Sequence, residues 1–205
     1  MTQIVLATRN HHKKQELIAL LQDVNVSIRA LDDFPEAPDV VEDGDTCEAN
    51  AMKKAVEIAR YTGLPAVADD TGLEVDALDG GPGAFAARYA GEHASYEDNC
   101  RKLLQELRGI PPAKRGARFV TVAAIAFPAG ETASVRGVLE GSIAEEATGS
   151  HGFGYDPIFI VPEYQQTLAQ LPPDVKNSIS HRARAFSQAK KLLERMMAER
   201  SSVGA

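Results

Sequence analysis

The chain has 205 residues, 44% of them hydrophobic and 25% charged, with a formal net charge of −7 at pH 7. That is enough chain for one substantial core, and its composition is that of a globular rather than a disordered polypeptide. The acid excess argues against binding a nucleic-acid polymer, which needs a broad basic face, whereas a small phosphorylated ligand needs only a local basic pocket. Cys47 and Cys100 are too far apart for a CxxC pair and predict neither a disulfide framework nor a zinc knuckle. The apolar run at residues 3–7 is too short for a signal peptide, and no stretch approaches the roughly 18 apolar residues of a membrane span. A soluble cytoplasmic protein with no membrane contact is expected.

Residues 3–7 read as a buried strand, followed by a polar turn, Thr8-Arg9-Asn10. Leu17, Leu20, Leu21 and Val24 then fall on one helical face, giving the β-α opening of an α/β fold. A second helix is marked by Met52, Ala55, Val56 and Ala59 and ends near Gly63. Residues 64–68 predict a buried strand, interrupted by Asp69-Asp70-Thr71-Gly72; Leu73, Val75 and Ala77 then alternate as a half-exposed strand. The cluster Gly80-Gly81-Pro82-Gly83 should turn the chain. Cys100, Leu103, Leu104 and Leu107 mark a third helix, closed by Gly109 and Pro111-Pro112. Residues 118–127 form the best strand pattern, with residues 134–143 as an antiparallel partner and 158–161 as one further strand. The last helix should start near Ile179 and carry Phe186, Ala189, Leu193 and Met196 at helical spacing. A hairpin inside an otherwise β-α chain predicts a mixed sheet. No repeat or linker divides residues 1–205, which read as a single domain.

Three constellations carry chemistry. The first is Thr8-Arg9-Asn10-His11-His12-Lys13, a strand-to-helix turn where backbone N–H groups and the helix dipole favour an anion. Lys13 opposes that dipole unless something negative lies there, such as a triphosphate; simple capping by Thr8 or Asn10 with a solvated Lys13 explains the spacing equally well. His11 and His12 read from spacing alone as surface residues. The second is Asp69-Asp70-Thr71-Gly72, placed by the pattern at a strand end. Two adjacent carboxylates are costly to bury without a cation or proton, and Mg²⁺ suits them. Asp70-Thr71-Gly72 also spells the aspartic-protease triplet, but the chain has one copy. The third pairs a glycine-aromatic loop, Gly149-Ser150-His151-Gly152-Phe153-Gly154-Tyr155-Asp156-Pro157, with Ser178-Ile179-Ser180-His181-Arg182 at the start of a basic helix. Glycines permit close approach, an aromatic can stack on a base, and His181 and Arg182 offer donors to carbonyl or phosphate oxygens. The run of acids from Asp32 to Glu48 reads mainly as a solvated loop.

Taken together, these residues resemble the Ham1/RdgB inosine triphosphate pyrophosphatases. The marks run from about Ile4 to Met196: Thr8-Arg9-Asn10 with Lys13, Glu42 before Gly44, Asn50 with Lys54, and Ala68 to Leu73. Pro82-Gly83, Ala87-Arg88-Tyr89, Gly152 to Pro157, Lys176 and Ser180-His181-Arg182 follow in order. The resemblance implies an ITPase/Maf-like α/β fold: an elongated, twisted mixed sheet flanked by helices, in two lobes with a central cleft. It further implies a Mg²⁺ cofactor, a homodimer, and hydrolysis of deaminated purine nucleoside triphosphates (dITP, ITP, XTP) to the monophosphate and pyrophosphate. Asp70 would then be the catalytic carboxylate, with Asp70, Glu42 and Asp69 on the metal. Thr8, Arg9, Asn10, His11, His12, Lys13 and Thr71 would hold phosphates, and Arg88 the leaving pyrophosphate. Phe153, Gly154, Tyr155, Asp156, Lys176, His181 and Arg182 would enclose the base and its sugar-phosphate. A Maf-type enzyme favouring pyrimidines and a nucleotide-binding regulator without turnover are the rival readings.

Overall fold

In the computed structural model, which describes residues 2–203, the opening β-α unit forms as its pattern predicts. Strand β1 (Thr2–Leu6) leads through Thr8-Arg9-Asn10 into helix α1 (His11–Leu21). Asn10 caps that helix, its Oδ1 accepting from the Lys13 backbone N–H at 3.1 Å. A short strand absent from the sequence expectation, β2 (Val26–Ala30), follows and pairs parallel to β1. Helix α2 (Cys47–Thr62) is capped by Thr46 and ends at Gly63, whose φ of 67° is the left-handed conformation that glycine adopts without strain.

The two strand segments expected on either side of Asp69-Asp70-Thr71-Gly72 are one continuous ten-residue strand, β3 (Ala66–Val75). Thus the acidic pair lies mid-strand, not at a strand end, and Gly72 makes no turn. The chain turns only at residues 76–80, where Asp79 has φ 51°, before β4 (Pro82–Gly83) pairs antiparallel with β3. Helix α3 (Tyr96–Glu106) starts with a reciprocal capping box between Ser95 and Asp98. Strands β5 (Gly116–Ala126) and β6 (Thr132–Ile143) form the expected hairpin, closed by Phe127 N–H to the Glu131 carbonyl at 2.8 Å. Strands β7 (Phe159–Val161) and β8 (Gln166–Thr167) and helix α4 (Pro173–Ile179) follow. The last helix, α5 (His181–Val203), starts two residues later than expected, because Ser180 is extended and separates it from α4.

The strands form one mixed sheet in the order β2-β1-β3-β5-β6-β7-β8, with β4 also on β3. The described chain divides into two compact units. The first contains residues 2–70, 121–137 and 182–203, and has a core on each face of its part of the sheet. Ile4, Leu6, Val67, Ala123 and Ile125 pack with Leu17 and Leu21 of α1 and with Phe186, Ala189 and Leu193 of α5. The alternate residues Val5, Ala7, Ala66, Ala68, Ala124 and Ala126 pack with Ala51, Ala55, Ile58 and Ala59 of α2. This is the period-two alternation of a strand buried on both faces. The second unit, residues 71–120 and 138–181, has one core built around Leu73, Val75, Leu103, Leu107, Phe119 and Phe159.

Candidate functional site

Alternation along β3 decides how the acidic pair is used. Asp69 continues the face of Val67, toward α1 and α5; Asp70 continues the face of Ala68, toward α2. The adjacent carboxylates therefore meet different partners, and the strand itself separates the like charges that sequence reasoning needed a cation to separate.

Asp69 is completely buried in a cationic environment. Its Oδ2 accepts from Arg182 Nε at 3.2 Å and lies 3.4 Å from Lys13 Nζ. Burial alone would raise its pKa, but Lys13 and Arg182 outweigh it and hold the carboxyl well below the usual range. Arg182, only 2% exposed, has a second partner in Glu16 Oε2 at 2.6 Å from its Nη1. Expected among the base-binding residues, Arg182 is thus held between two carboxylates. Glu16 was absent from the sequence-based candidates, although it lies three residues after Lys13 on the same helix face.

Asp70 has the opposite electrostatics. It accepts from Asn50 Nδ2 at 3.3 Å and has Lys54 Nζ at 3.7 Å. Burial raises its pKa; Lys13 and Lys54 oppose that, while Glu42 and Asp69 add to it, and the net shift is upward. Lys54 Nζ also donates to Glu42 Oε1 at 2.6 Å, so one buried ammonium stands between two of the three carboxylates expected to carry metal. Cys47, at the start of α2, is packed against the same carboxylate, and burial followed by the Asp70 charge pushes its thiol up to about 12. Asn50 and Lys54 are one turn apart on α2, which brings both to Asp70.

The strand-helix turn is divided in its roles. Asn10 caps α1, and Thr8 Oγ1 accepts from the Asn10 N–H at 3.2 Å within the turn, so the capping reading holds for Asn10. Lys13 is not solvated but paired with Asp69. His11 and His12 are exposed, as their spacing suggested. Arg9 directs its guanidinium to Asp39 Oδ1 at 2.6 Å and the Ala37 carbonyl at 2.7 Å. The acidic run is solvent-exposed as expected, apart from the half-buried Glu42, and several of its members make ion pairs: Asp32 with Lys14, Asp33 with Arg29, Asp39 with Arg9, Glu42 with Lys54 and Asp43 with Lys53.

The second unit contains the other group. Asp156 Oδ2 accepts from Lys176 Nζ at 2.6 Å and from the Phe153 N–H at 2.8 Å, and both side chains of the ion pair are almost fully buried. Lys176 Nζ lies 4.9 Å from the Phe153 ring centroid, and Tyr96 packs against the same ring at 5.8 Å. His181 is buried and stacked on Phe119 at 4.4 Å. Tyr155, expected at the base, is instead a core residue whose hydroxyl donates to the Ala86 carbonyl at 2.8 Å. The Gly154 carbonyl accepts from Cys100, whose burial pushes its thiol up to about 12. Arg88 lies over Phe85, with Glu92 at 3.8 Å, and Thr71 continues β3 past Asp70.

Gly152 is indispensable to this loop. Its φ is 76°, and a Cβ there would lie 2.0 Å from Asp156 Oδ2 and 3.0 Å from Lys176 Nζ. Gly152→Ala is expected to displace the Asp156–Lys176 pair and to cost about 1–3 kcal/mol from backbone strain and overpacking. Denaturant unfolding checks it; an unchanged midpoint would show that the loop adapts freely.

Comparison with known proteins follows the same residues. A family model described as the Ham1 family matches residues 4–192. The chain belongs to the Ham1 family. It is 49% identical over 190 residues to a Geobacter sulfurreducens protein named dITP/XTP pyrophosphatase, covering 93% of this chain and 96% of that one. A Shouchella clausii protein of the same name is 47% identical, with 95% and 98% covered. Among solved structures, a HAM1 protein from Coxiella burnetii superposes with a TM-score of 0.87 at 42% identity, covering 95% of this chain and all of that one. These Ham1 likenesses bear out the α/β fold and mixed sheet expected from the sequence.

Proposed function

We propose that the chain is a nucleoside triphosphate pyrophosphatase acting on deaminated purine nucleotides (dITP, ITP and XTP). Water adds across the α–β phosphoanhydride, yielding the nucleoside monophosphate and pyrophosphate. The observation that carries this reading is Asp70: a buried carboxylate with a raised pKa, beside Lys54 and Glu42, in a chain nearly half identical to proteins named dITP/XTP pyrophosphatase. A carboxylate whose proton affinity is raised by burial is suited to take a proton from attacking water. Lys13, at the first turn of α1, and Lys54 contribute positive potential where phosphate charge must be accommodated.

A Mg²⁺ requirement belongs to the same proposal. Among the described residues no group of three His, Cys, Asp or Glu side chains is arranged to hold a metal ion. By donor chemistry Glu42 and Asp70 suit magnesium, which is commonly held by one or two carboxylates with substrate phosphates and water completing its shell, although Lys54 Nζ stands between them. Those two residues would hold it; Asp69, on the other face of β3 with Arg182 and Lys13, would not. When bound, the ion would neutralise phosphate charge and favour deprotonation of water.

For the base, Phe153 offers a ring face and Lys176 a donor fixed in place by Asp156. A buried donor met by the 6-carbonyl of hypoxanthine or xanthine is left unmet by the 6-amine of adenine, a difference of about 1–3 kcal/mol per donor. A homodimer and a cytoplasmic location complete the proposal; no helix among the described residues is long and apolar enough to cross a membrane. Incubation with Mg²⁺ and, separately, dITP, XTP, dGTP, dATP and dTTP tests it. Pyrophosphate should appear from dITP and XTP at least roughly tenfold faster than from dATP. Orthophosphate as product, preference for dTTP, or binding without turnover would each overturn it.

A further inference from the structure

Residues 37–44 have no regular secondary structure, yet they carry Glu42. At one end of this span, Arg9 Nε donates to Asp39 Oδ1 at 2.6 Å and Arg9 Nη2 to the Ala37 carbonyl at 2.7 Å. At the other, Asn50 accepts from the Gly44 N–H at 2.8 Å and donates to the Gly44 carbonyl at 3.2 Å. Between these two posts the segment spans a cavity of about 160 Å³, lined by Arg9, Asp39, Val40, Glu42, Lys54 and Ile58. Ala37 and Val40 touch the core on the α2 face of the sheet, whereas Asp39, Glu42 and Asp43 lie outside it and are placed by polar ties. Glu42 is three residues from Asp39 and is itself bonded to Lys54 at 2.6 Å, so the Arg9 contact is a second constraint on how Glu42 meets that ammonium. The Arg9 contact is directional as well as charged, because one planar guanidinium grips a side chain and a backbone carbonyl at once.

We propose that Arg9 is a positioning residue: it anchors the 37–44 span so that Glu42 faces Lys54 and Asp70, and it does not itself hold the triphosphate. The catalytic part rests on the function proposed above. Asp39, 87% exposed at its side chain and without any expected role of its own, becomes the other half of the anchor.

The test uses Arg9→Ala, Asp39→Ala, the double variant and Arg9→Lys in the full-length protein. Because the pair is at the surface, melting temperatures should stay within a few degrees of wild type. Hydrogen exchange at the amides of residues 38–43 should accelerate about fivefold in Arg9→Ala, less in Asp39→Ala, which keeps the Arg9–Ala37 bond, and no further in the double than in Arg9→Ala. Hydrolysis of dITP should show kcat lowered about three- to tenfold in Arg9→Ala and in the double variant, and less in Asp39→Ala, with KM changed less than twofold in all three. Arg9→Lys, which keeps the charge but not the two-acceptor grip, should recover only part of the loss. Unchanged exchange at 38–43 overturns the anchor. So does a KM rise of tenfold or more in Arg9→Ala that Asp39→Ala does not share and Arg9→Lys restores, since that pattern marks a direct phosphate contact. If the wild-type protein releases no pyrophosphate from dITP or XTP, the functional reading fails, while the exchange data still decide whether Arg9 anchors the span.

Discussion

Replacing Asp70 by Asn is expected to lower pyrophosphate release from dITP by about 10²–10⁴-fold, the range over which a positioned acid or base contributes. The fold should be almost untouched. Asparagine is nearly isosteric and keeps an oxygen to accept from Asn50, and Lys54 retains Glu42 at 2.6 Å as its counter-ion. Burial already disfavours the charged form of Asp70, so removing the charge should change stability by no more than about 1 kcal/mol. Steady-state assays at saturating Mg²⁺ together with a thermal melt check both halves. Near-normal turnover would remove Asp70 from the mechanism; lost turnover with a collapsed melting temperature would make its role structural.

The contrast between Asp70 and its neighbour shows what could be read in the chain alone. The apolar flanks of β3 were legible, as were the hairpin of β5 and β6 and the first three helices, because periodicity is a local property. The acidic pair was misread as a break because an ionised side chain in the middle of a buried strand is costly unless paired. The partners that make it tolerable, Lys13, Asn50, Lys54 and Arg182, lie on three different helices, and Arg182 is 113 residues from Asp69. Glu16 was missed for the same reason: nothing within one turn of it announces an arginine 166 residues away. Tyr155 was misjudged differently. An aromatic among glycines reads as a ligand platform, and only the tertiary contact to the Ala86 carbonyl identifies it as core. Strand β2 was in principle readable, since Val26, Ile28 and Ala30 alternate with Ser27 and Arg29, but five residues at a sheet edge give a weak period-two signal.

The second large effect belongs to Arg182. The family resemblance places it among the residues enclosing the base and its sugar-phosphate. In the structure it is fully buried, with Asp69 and Glu16 on its guanidinium. Arg182→Ala therefore leaves two buried carboxylates with one fewer cation and should destabilise the protein by about 3–5 kcal/mol, as breaking a buried ion pair does. For a chain of this size that is a fall of roughly 6–20 °C in melting temperature. Lysine should restore only part, because a single ammonium cannot reproduce the two-sided contact. Adding Glu16→Ala to Arg182→Ala should recover some of the loss, since a buried charge leaves together with its partner and the two effects are then less than additive. Thermal and denaturant unfolding of the three variants measure this coupling. A melting temperature within 2–3 °C of wild type in Arg182→Ala, with the dITP-over-dATP preference reduced, would return the residue to base recognition. A large fall with the preference intact in the surviving folded fraction would establish that Arg182 acts by holding Asp69 and the N-terminal turns of α1 and α5 in register.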